Sequence, residues 1–309
     1  MRGHMAEGRG WLERALALGG DDPGPRARAL HGAGGLANQL GDLAPARALL
    51  EESLALERAL GRQAELSRVL NNLALVYLNQ GAYEPARALI EEALVIDRGL
   101  GDERGVAFSF GTLGEIAYVQ GDYQRSAELY AQSLELHRRA RDEHSVAVTL
   151  VNLGVTLYAQ GRLGEARPLL EEGLGRFRAL GAAFGEAYCL VRLARIALAA
   201  GDQAAALTYG RQAVPMLADL GHLGELGLCL MSLARIALAA GDAARAGRLW
   251  GAADGLLAAP GASVTADDRA EYDKLLAEAR AAADRPAWEA AWDEGRALSL
   301  AEAVALTLA

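Results

Sequence analysis

The side chains able to do chemistry are few and scattered. Five histidines stand at His4, His31, His137, His144 and His222, and only His137 and His144 lie within seven residues of each other. Two ligands at that spacing fall short of a zinc site, which needs three or four. Two cysteines, Cys189 and Cys229, are 40 residues apart. Acidic pairs recur at Glu51-Glu52, Glu91-Glu92 and Glu171-Glu172. Neighbouring carboxylates on a helix point apart, so these pairs read as a solvated face rather than an acid–base couple. There is no GxxxxGK[ST] phosphate loop, GxSxG, HExxH or CxxC. We therefore expect no enzyme activity, no metal and no cofactor.

Composition narrows the partners. The 309 residues carry a formal charge of −9, with 52% hydrophobic and 6% aromatic residues. That charge repels phosphate, and no basic run is interleaved with aromatics, so direct nucleic-acid binding is not expected. No apolar run is long enough to span a bilayer, and no helix pairs a basic face with large exposed apolar groups. Without a signal peptide, the expected location is the cytoplasm. Both cysteines are expected to be reduced core residues: equivalent positions in stacked helix pairs lie ~8–10 Å apart, beyond disulfide reach.

The elements that must position these groups are set by a period. Residues Leu193 to Asp202 (LARIALAAGD) return letter for letter at Leu233 to Asp242. Glycines fall at 41, 81, 121, 161, 201 and 241 without slip. A fixed spacing of 40 residues marks a repeat architecture in which each unit packs on its neighbours. Each glycine should end a first helix in a left-handed cap. Eleven residues earlier stand Leu30, Leu70, Phe110, Leu150, Leu190 and Leu230; seven earlier, a small residue (Gly34, Ala74, Gly114, Gly154, Ala194, Ala234). Five residues after it comes another small residue (Ala46, Ala86, Ser126, Ala166, Ala206, Ala246), opposite the first. The small pairs let the two helices of a unit approach closely. Pro45 and Pro85 suit the first turn of second helices, whereas Pro215 should kink one.

The period divides the chain. Residues 1–5 (Met1-Arg2-Gly3-His4-Met5) read as a cloning scar. Residues 6–25 hold one helix, Ala6 to Leu18, and a breaker-rich loop from Gly19 to Pro25. The helix aligns with the second helix of a unit, Trp11 and Leu12 falling on Leu49 and Leu50, so the chain opens halfway through a repeat with the Trp11 side short of a partner. Six repeats occupy 26–260. Residues 261–309 form a closing cap: a helix from Asp267 to Ala282 behind Thr265 and Asp268, a restart at Asp284-Arg285-Pro286 carrying Trp288 and Trp292 on one face, and a short helix behind the capping box Ser299–Glu302.

This pattern resembles the tetratricopeptide repeat in a 40-residue form. The best matches are Asn72-Leu73-Ala74-Leu75-Val76-Tyr77 with Gly81-Ala82-Tyr83 and Ala86, and Asn152-Leu153-Gly154. The first unit departs, with Ala33 in place of Leu, and the family tryptophan is replaced by Leu or Phe. The resemblance implies an all-α, right-handed superhelical solenoid of helix pairs with a helical cap. It also implies a ligand-binding groove on the first helices. Carried over position by position, the groove holds Arg28, His31, Arg68, Asn71, Asn72, Phe108, Thr112, Glu115, Asn152, Tyr188, Arg192, Arg195, Met231, Ser232 and Arg235, with Tyr118 and Tyr158 one turn further on. Five of these are arginines in an acidic chain. They favour an acidic or carboxylate-bearing ligand, because the guanidinium fork binds carboxylate in a bidentate way. The opposing reading is that Arg192, Arg195 and Arg235 merely pair with acids such as Glu186 and Glu225.

The tail carries a second resemblance. Arg245 to Leu257 (RAGRLWGAADGLL), Arg269-Ala270-Glu271-Tyr272, Trp288 to Arg296 and Leu300 to Val304 resemble the C-terminal end of bacterial signal-transduction ATPases with numerous domains (STAND). Glu7 to Leu12 resembles the start of the same module. The resemblance implies a sensor for a peptide, protein or small effector, preceded in the full protein by a nucleotide-hydrolysing switch domain and linked to transcription regulation. The alternative is a free-standing adaptor or scaffold for complex assembly.

Overall fold

The computed structural model describes residues 2–19, 22–262, 264–282 and 285–308. Among them are sixteen helices and no strand. The first helix is α1 (Arg2–Ala17). Six pairs follow: α2 (Pro23–Leu40) with α3 (Leu43–Leu60), α4 (Gln63–Asn79) with α5 (Tyr83–Leu100), α6 (Glu103–Val119) with α7 (Tyr123–Arg139), α8 (Glu143–Ala159) with α9 (Leu163–Leu180), α10 (Ala183–Ala199) with α11 (Gln203–Leu220), and α12 (Leu223–Ala239) with α13 (Ala243–Ala258). The cap is α14 (Ala266–Ala282), α15 (Arg285–Arg296) and α16 (Leu300–Leu308). The chain forms two compact units, residues 1–145 and 146–309.

The glycine period works as the sequence requires. Gly41, Gly81, Gly121, Gly161, Gly201 and Gly241 all take positive φ, between 73° and 87°. A second series closes the second helices, at Gly61, Gly101, Gly181 and Gly221. At the matching position 141 the chain has Arg141, held at φ 54°, the one non-glycine with positive φ among the described residues. Within a pair the small residues set the spacing: a Cβ on Gly34 would lie 2.7 Å from Leu50 Cγ, and one on Gly154 3.0 Å from Leu170 Cγ. Around them, Leu50, Leu70, Val69 and Val76 form a closed core in the first unit.

Two expectations are revised. Helix α1 begins at Arg2 rather than at Ala6. The breaker-rich loop is shorter than expected, because Pro23 and Pro25 start α2 instead of preceding it; Asp22 caps it, accepting from the Gly24 N–H at 2.9 Å. Proline tolerates a first turn since its missing N–H has no partner there. Gly20, Asp21 and Asp284 of the loop and restart readings lie outside the described residues. Helix α11 spans Gln203 to Leu220 with Pro215 inside it, and α9 likewise encloses Pro168. Trp11 is 63% exposed, with Arg14 stacked 4.4 Å over its ring.

The cap is built as its motifs indicate. The Ser299 N–H donates to Glu302 at 2.8 Å and the Glu302 N–H to Ser299 at 3.3 Å. The Asp268 N–H donates to Thr265 Oγ1 at 3.1 Å. Trp288 and Trp292 are buried, Trp288 packing on Trp250 at 5.8 Å between ring centres. A feature the sequence reading missed makes this possible. Gly247, Gly251 and Gly255 are spaced by four on α13, and Gly295 faces them from α15. A Cβ on Gly251 would lie 2.1 Å from the Trp292 carbonyl oxygen; one on Gly295, 2.0 Å from that of Arg248. Three glycines inside one helix weaken it, and that cost is the signal for a backbone-to-backbone crossing.

Candidate ligand-binding face

In the first unit, the positions carried over from the repeat family lie on α2, α4 and α6. His31 Nε2 and Asn72 Nδ2 are 2.6 Å apart, joining α2 to α4. Burial, then the charge of Arg68, lowers the His31 imidazole below its ordinary value, so it is neutral at pH 7. A neutral His31 accepts at Nε2 from the Asn72 amide. Arg28 and Arg68 share one register position and are both exposed, with no ion-pair partner within 4 Å among the described residues, although the charge of Arg68 reaches Asp97. Phe108 is half-buried at the same register on α6. Tyr118 is half-buried and stacks on Tyr123 at 5.4 Å. Glu115 retains solvent contact, yet desolvation raises its carboxyl above the usual range.

Two members of that set are not on the surface. Asn71 is buried, its Oδ1 without a partner. Thr112 is buried with its hydroxyl turned back to the Phe108 carbonyl of its own helix at 3.1 Å, so neither offers a free group.

In the second unit the arginines are closed over. Arg192 and Arg195 on α10 are 5% and 7% exposed. Arg192 donates bidentately to Asp268, Nη1–Oδ1 3.0 Å and Nη2–Oδ2 3.2 Å, and Nη2 also reaches Glu225 at 3.0 Å. Arg195 donates to Asp268 Oδ1 at 2.5 Å and to Glu271. Arg192 stacks over the Tyr188 ring at 4.4 Å and Arg195 over Tyr158 at 5.6 Å; Tyr158 also donates to Glu271 at 3.5 Å. Burial alone would raise the Asp268 carboxyl, but Arg192 and Arg195 outweigh it and hold it below its ordinary value. For Glu225, burial wins over Arg192 and the carboxyl is raised.

The pairing with Glu225 is the one the sequence suggested; Glu186 instead pairs with Arg178 at 2.7 Å. Asp268 and Glu271 were missed, being 73 and 76 residues from Arg195 with no local spacing to mark them. Arg235 and Asn152 are half-buried. Met231 and Ser232 are core residues, each 1% exposed, with the Ser232 hydroxyl on the Leu228 carbonyl at 3.2 Å. Helix α12 touches α10, α11, α13 and α14, which leaves little of its circumference free.

Other reactive groups are enclosed. Cys189 and Cys229 are free and buried, and burial pushes both thiols up to about 12. His137 is buried in α7, and burial lowers its imidazole. No three His, Cys, Asp or Glu side chains converge on a metal position among the described residues. No described helix is long and apolar enough to cross a membrane.

Comparisons with known proteins agree with this architecture. A search of curated proteins returns no match. Among solved structures, a Rap protein complexed with competence and sporulation factor is similar over 96% of this chain and 80% of its own, with a TM-score of 0.68 and 12% identity. BtubC (BKLC) from P. vanneervenii matches 70% of this chain and 91% of its own at 0.59 and 24% identity. A STAND protein with a tetratricopeptide repeat sensor, PH0952 from Pyrococcus horikoshii, matches 88% of this chain and 45% of its own at 0.57 and 18% identity. At these identities the likeness is one of fold. The sequence profile described as tetratricopeptide repeat matches residues 25–99, 65–139, 105–179 and 145–219. With well over half of its length matched in register, this chain belongs to the tetratricopeptide repeat family.

Proposed function

We propose that the chain is a recognition module whose first-helix faces bind an acidic peptide, protein or small carboxylate-bearing effector. One observation carries this reading. In a chain of net charge −9, Arg28 and Arg68 stand exposed at one register, without an ion pair within 4 Å among the described residues, beside the hydrogen-bonded His31 and Asn72. Carboxylate binding by a guanidinium fork is directional as well as attractive. A concave face concentrates that field and raises local attraction for anions against an unfavourable net charge. Asn72 and, in the second unit, Asn152 supply amides for polar edges of a ligand. The Rap structure, held with its factor, supports ligand capture on this fold, though for that protein.

The test is affinity selection from a random-peptide display library on the purified chain. The selected peptides are expected to be enriched in Asp and Glu, and to lose tenfold or more in affinity for the Arg28→Glu, Arg68→Glu double variant. Peptides without acidic bias, or equal affinity for the variant, would overturn the reading.

We further propose that the module serves as the sensor of a larger STAND-type ATPase regulator in the cytoplasm. The tail residues from Arg245 to Val304 and the fold shared with the PH0952 sensor support it. The natural reading frame decides the matter: a phosphate-loop domain upstream fits the sensor, and its absence fits the adaptor.

A further inference from the structure

The second unit contains a basic site that already has an occupant. Arg192 and Arg195 come from the repeats, as does one acid, Glu225; Asp268 and Glu271 come from α14, outside the repeats. Two adjacent buried guanidinium groups repel each other and are tolerable only with carboxylates between them. The repeats supply one carboxylate for two arginines, and α14 makes up the balance.

Two features distinguish this from ordinary packing of a cap. The guanidinium groups lie on aromatic rings of the repeats: Arg192 on Tyr188, and Arg195 on Tyr158, whose hydroxyl also donates to Glu271 of α14. The Arg192 fork thus has a ring of its own helix beneath it that needs no hydrogen bond from α14. In addition, α14 is held by charge at its start and by packing further along, where Tyr272 is fully buried and Arg280 lies 4.3 Å over the Trp292 ring and 3.8 Å from Glu289. Its buried side chains are Asp268, Tyr272 and Ala279, while Leu275 and Leu276 are only half-buried. By contrast α15 is seated on α13 through Trp288, Trp292 and the glycine crossing, and α16 is clamped separately, Arg211 and Arg245 donating to its last carbonyls at 3.4 and 3.2 Å. The first turn of α14, which carries Asp268 and Glu271, is therefore the part a competing ligand would displace, with α15 and α16 held by contacts of their own.

We propose that Arg192 and Arg195 form a two-carboxylate recognition site occupied in cis by α14, and that an acidic helical peptide presenting carboxylates three residues apart competes with α14 for it. The proposal rests on the reading above that the first-helix faces recognise carboxylates, and it fixes the spacing the second unit would select. Asp268 and Glu271 then act as an internal stand-in for the ligand, and arrival of the true ligand frees the first turn of α14.

The probe is a synthetic peptide of residues 264–276, used alongside the same peptide with Asp268→Asn and Glu271→Gln. Binding is measured by titration calorimetry to the full wild-type chain and to a full chain carrying Asp268→Asn and Glu271→Gln. The acidic peptide is expected to bind the variant chain at least tenfold more tightly than wild type, and the amide peptide to bind neither. Equal affinity for both chains, or equal affinity of both peptides, overturns the proposal. Hydrogen exchange on the wild-type chain keeps the test independent of how the variant folds: 1 mM acidic peptide should speed exchange in residues 268–280, and unchanged exchange there counts against it. The Arg28→Glu, Arg68→Glu variant separates the two readings, since it leaves this competition intact whether or not the first-unit face binds.

Discussion

Replacing Gly251 by Ala separates backbone crossing from helix propensity. Ala is worth ~1 kcal/mol more than Gly inside a helix, so propensity alone favours the substitution. The added Cβ, however, would lie 2.1 Å from the Trp292 carbonyl oxygen and 3.0 Å from the Arg296 nitrogen. Those are backbone atoms that cannot rotate away. Helices α13 and α15 must part by ~1 Å to restore ordinary contact. Overpacking of this kind costs ~3 kcal/mol at the upper end of its usual range. Setting the propensity gain against it leaves a net loss of about 2 kcal/mol. The control is Gly175 in α9, where a Cβ meets nothing within 4 Å; there Ala should stabilise by about 0.5–1 kcal/mol. Urea unfolding followed by tryptophan fluorescence reads the first effect directly, because Trp250, Trp288 and Trp292 cluster at the crossing. Circular dichroism reads the second. A Gly251→Ala chain as stable as wild type, or a Gly175→Ala chain destabilised to the same degree, would refute the reasoning.

Other perturbations have equally definite outcomes. Arg141→Gly relieves a left-handed non-glycine and should stabilise by ~0.5–1 kcal/mol after the flexibility of glycine is counted, seen as a higher urea midpoint. Asp97 is 2% exposed, and burial, then the charge of Asp102, raises its carboxyl. A raised acid destabilises the fold while ionised, so Asp97→Asn should stabilise at pH 7, and that gain should fade as pH falls through the raised value and vanish below the ordinary Asp range. With both thiols at about 12, Cys189 and Cys229 should resist iodoacetamide at pH 8 in the folded chain and react at once in urea. Asp268 has the opposite sign from Asp97: its lowered carboxyl stabilises α14 above the ordinary Asp value, and the protection factors of 268–280, corrected for the intrinsic exchange rate at each pH, should fall as pH drops through the depressed one.

Most of the fold was legible because its signals are local and repeated. Gly41 and its five successors sit at left-handed caps that few other residues accept, so their spacing alone marks the ends of the first helices. The capping boxes at Thr265 and Ser299 mark the cap helices in the same way. The second glycine series was less visible because Arg141 interrupts it. Pro23 and Pro25 misled because proline is both a loop breaker and a good first-turn residue, and only the Asp22 cap distinguishes the two.

The candidate site was legible in part. Register placed Arg28, Arg68, His31 and Asn72 on one set of helices, and His31 meets Asn72 across α2 and α4. Register could not show that α14 folds back over Arg192 and Arg195, since that contact joins residues more than 70 positions apart through a non-repeating tail. The same return explains Met231 and Ser232: with α14 and neighbouring helices around α12, positions that would face a groove become core.

The central claim is that the first-helix face of the first unit receives the ligand. Its most direct test is a hydrogen-exchange footprint of the chain with an acidic peptide recovered by display selection. Protection is expected along α2 and α4, around Arg28, His31, Arg68 and Asn72, with the second helices α3 and α5 unchanged. Protection confined to α3 and α5, with α2 and α4 exchanging as in the free chain, would contradict it.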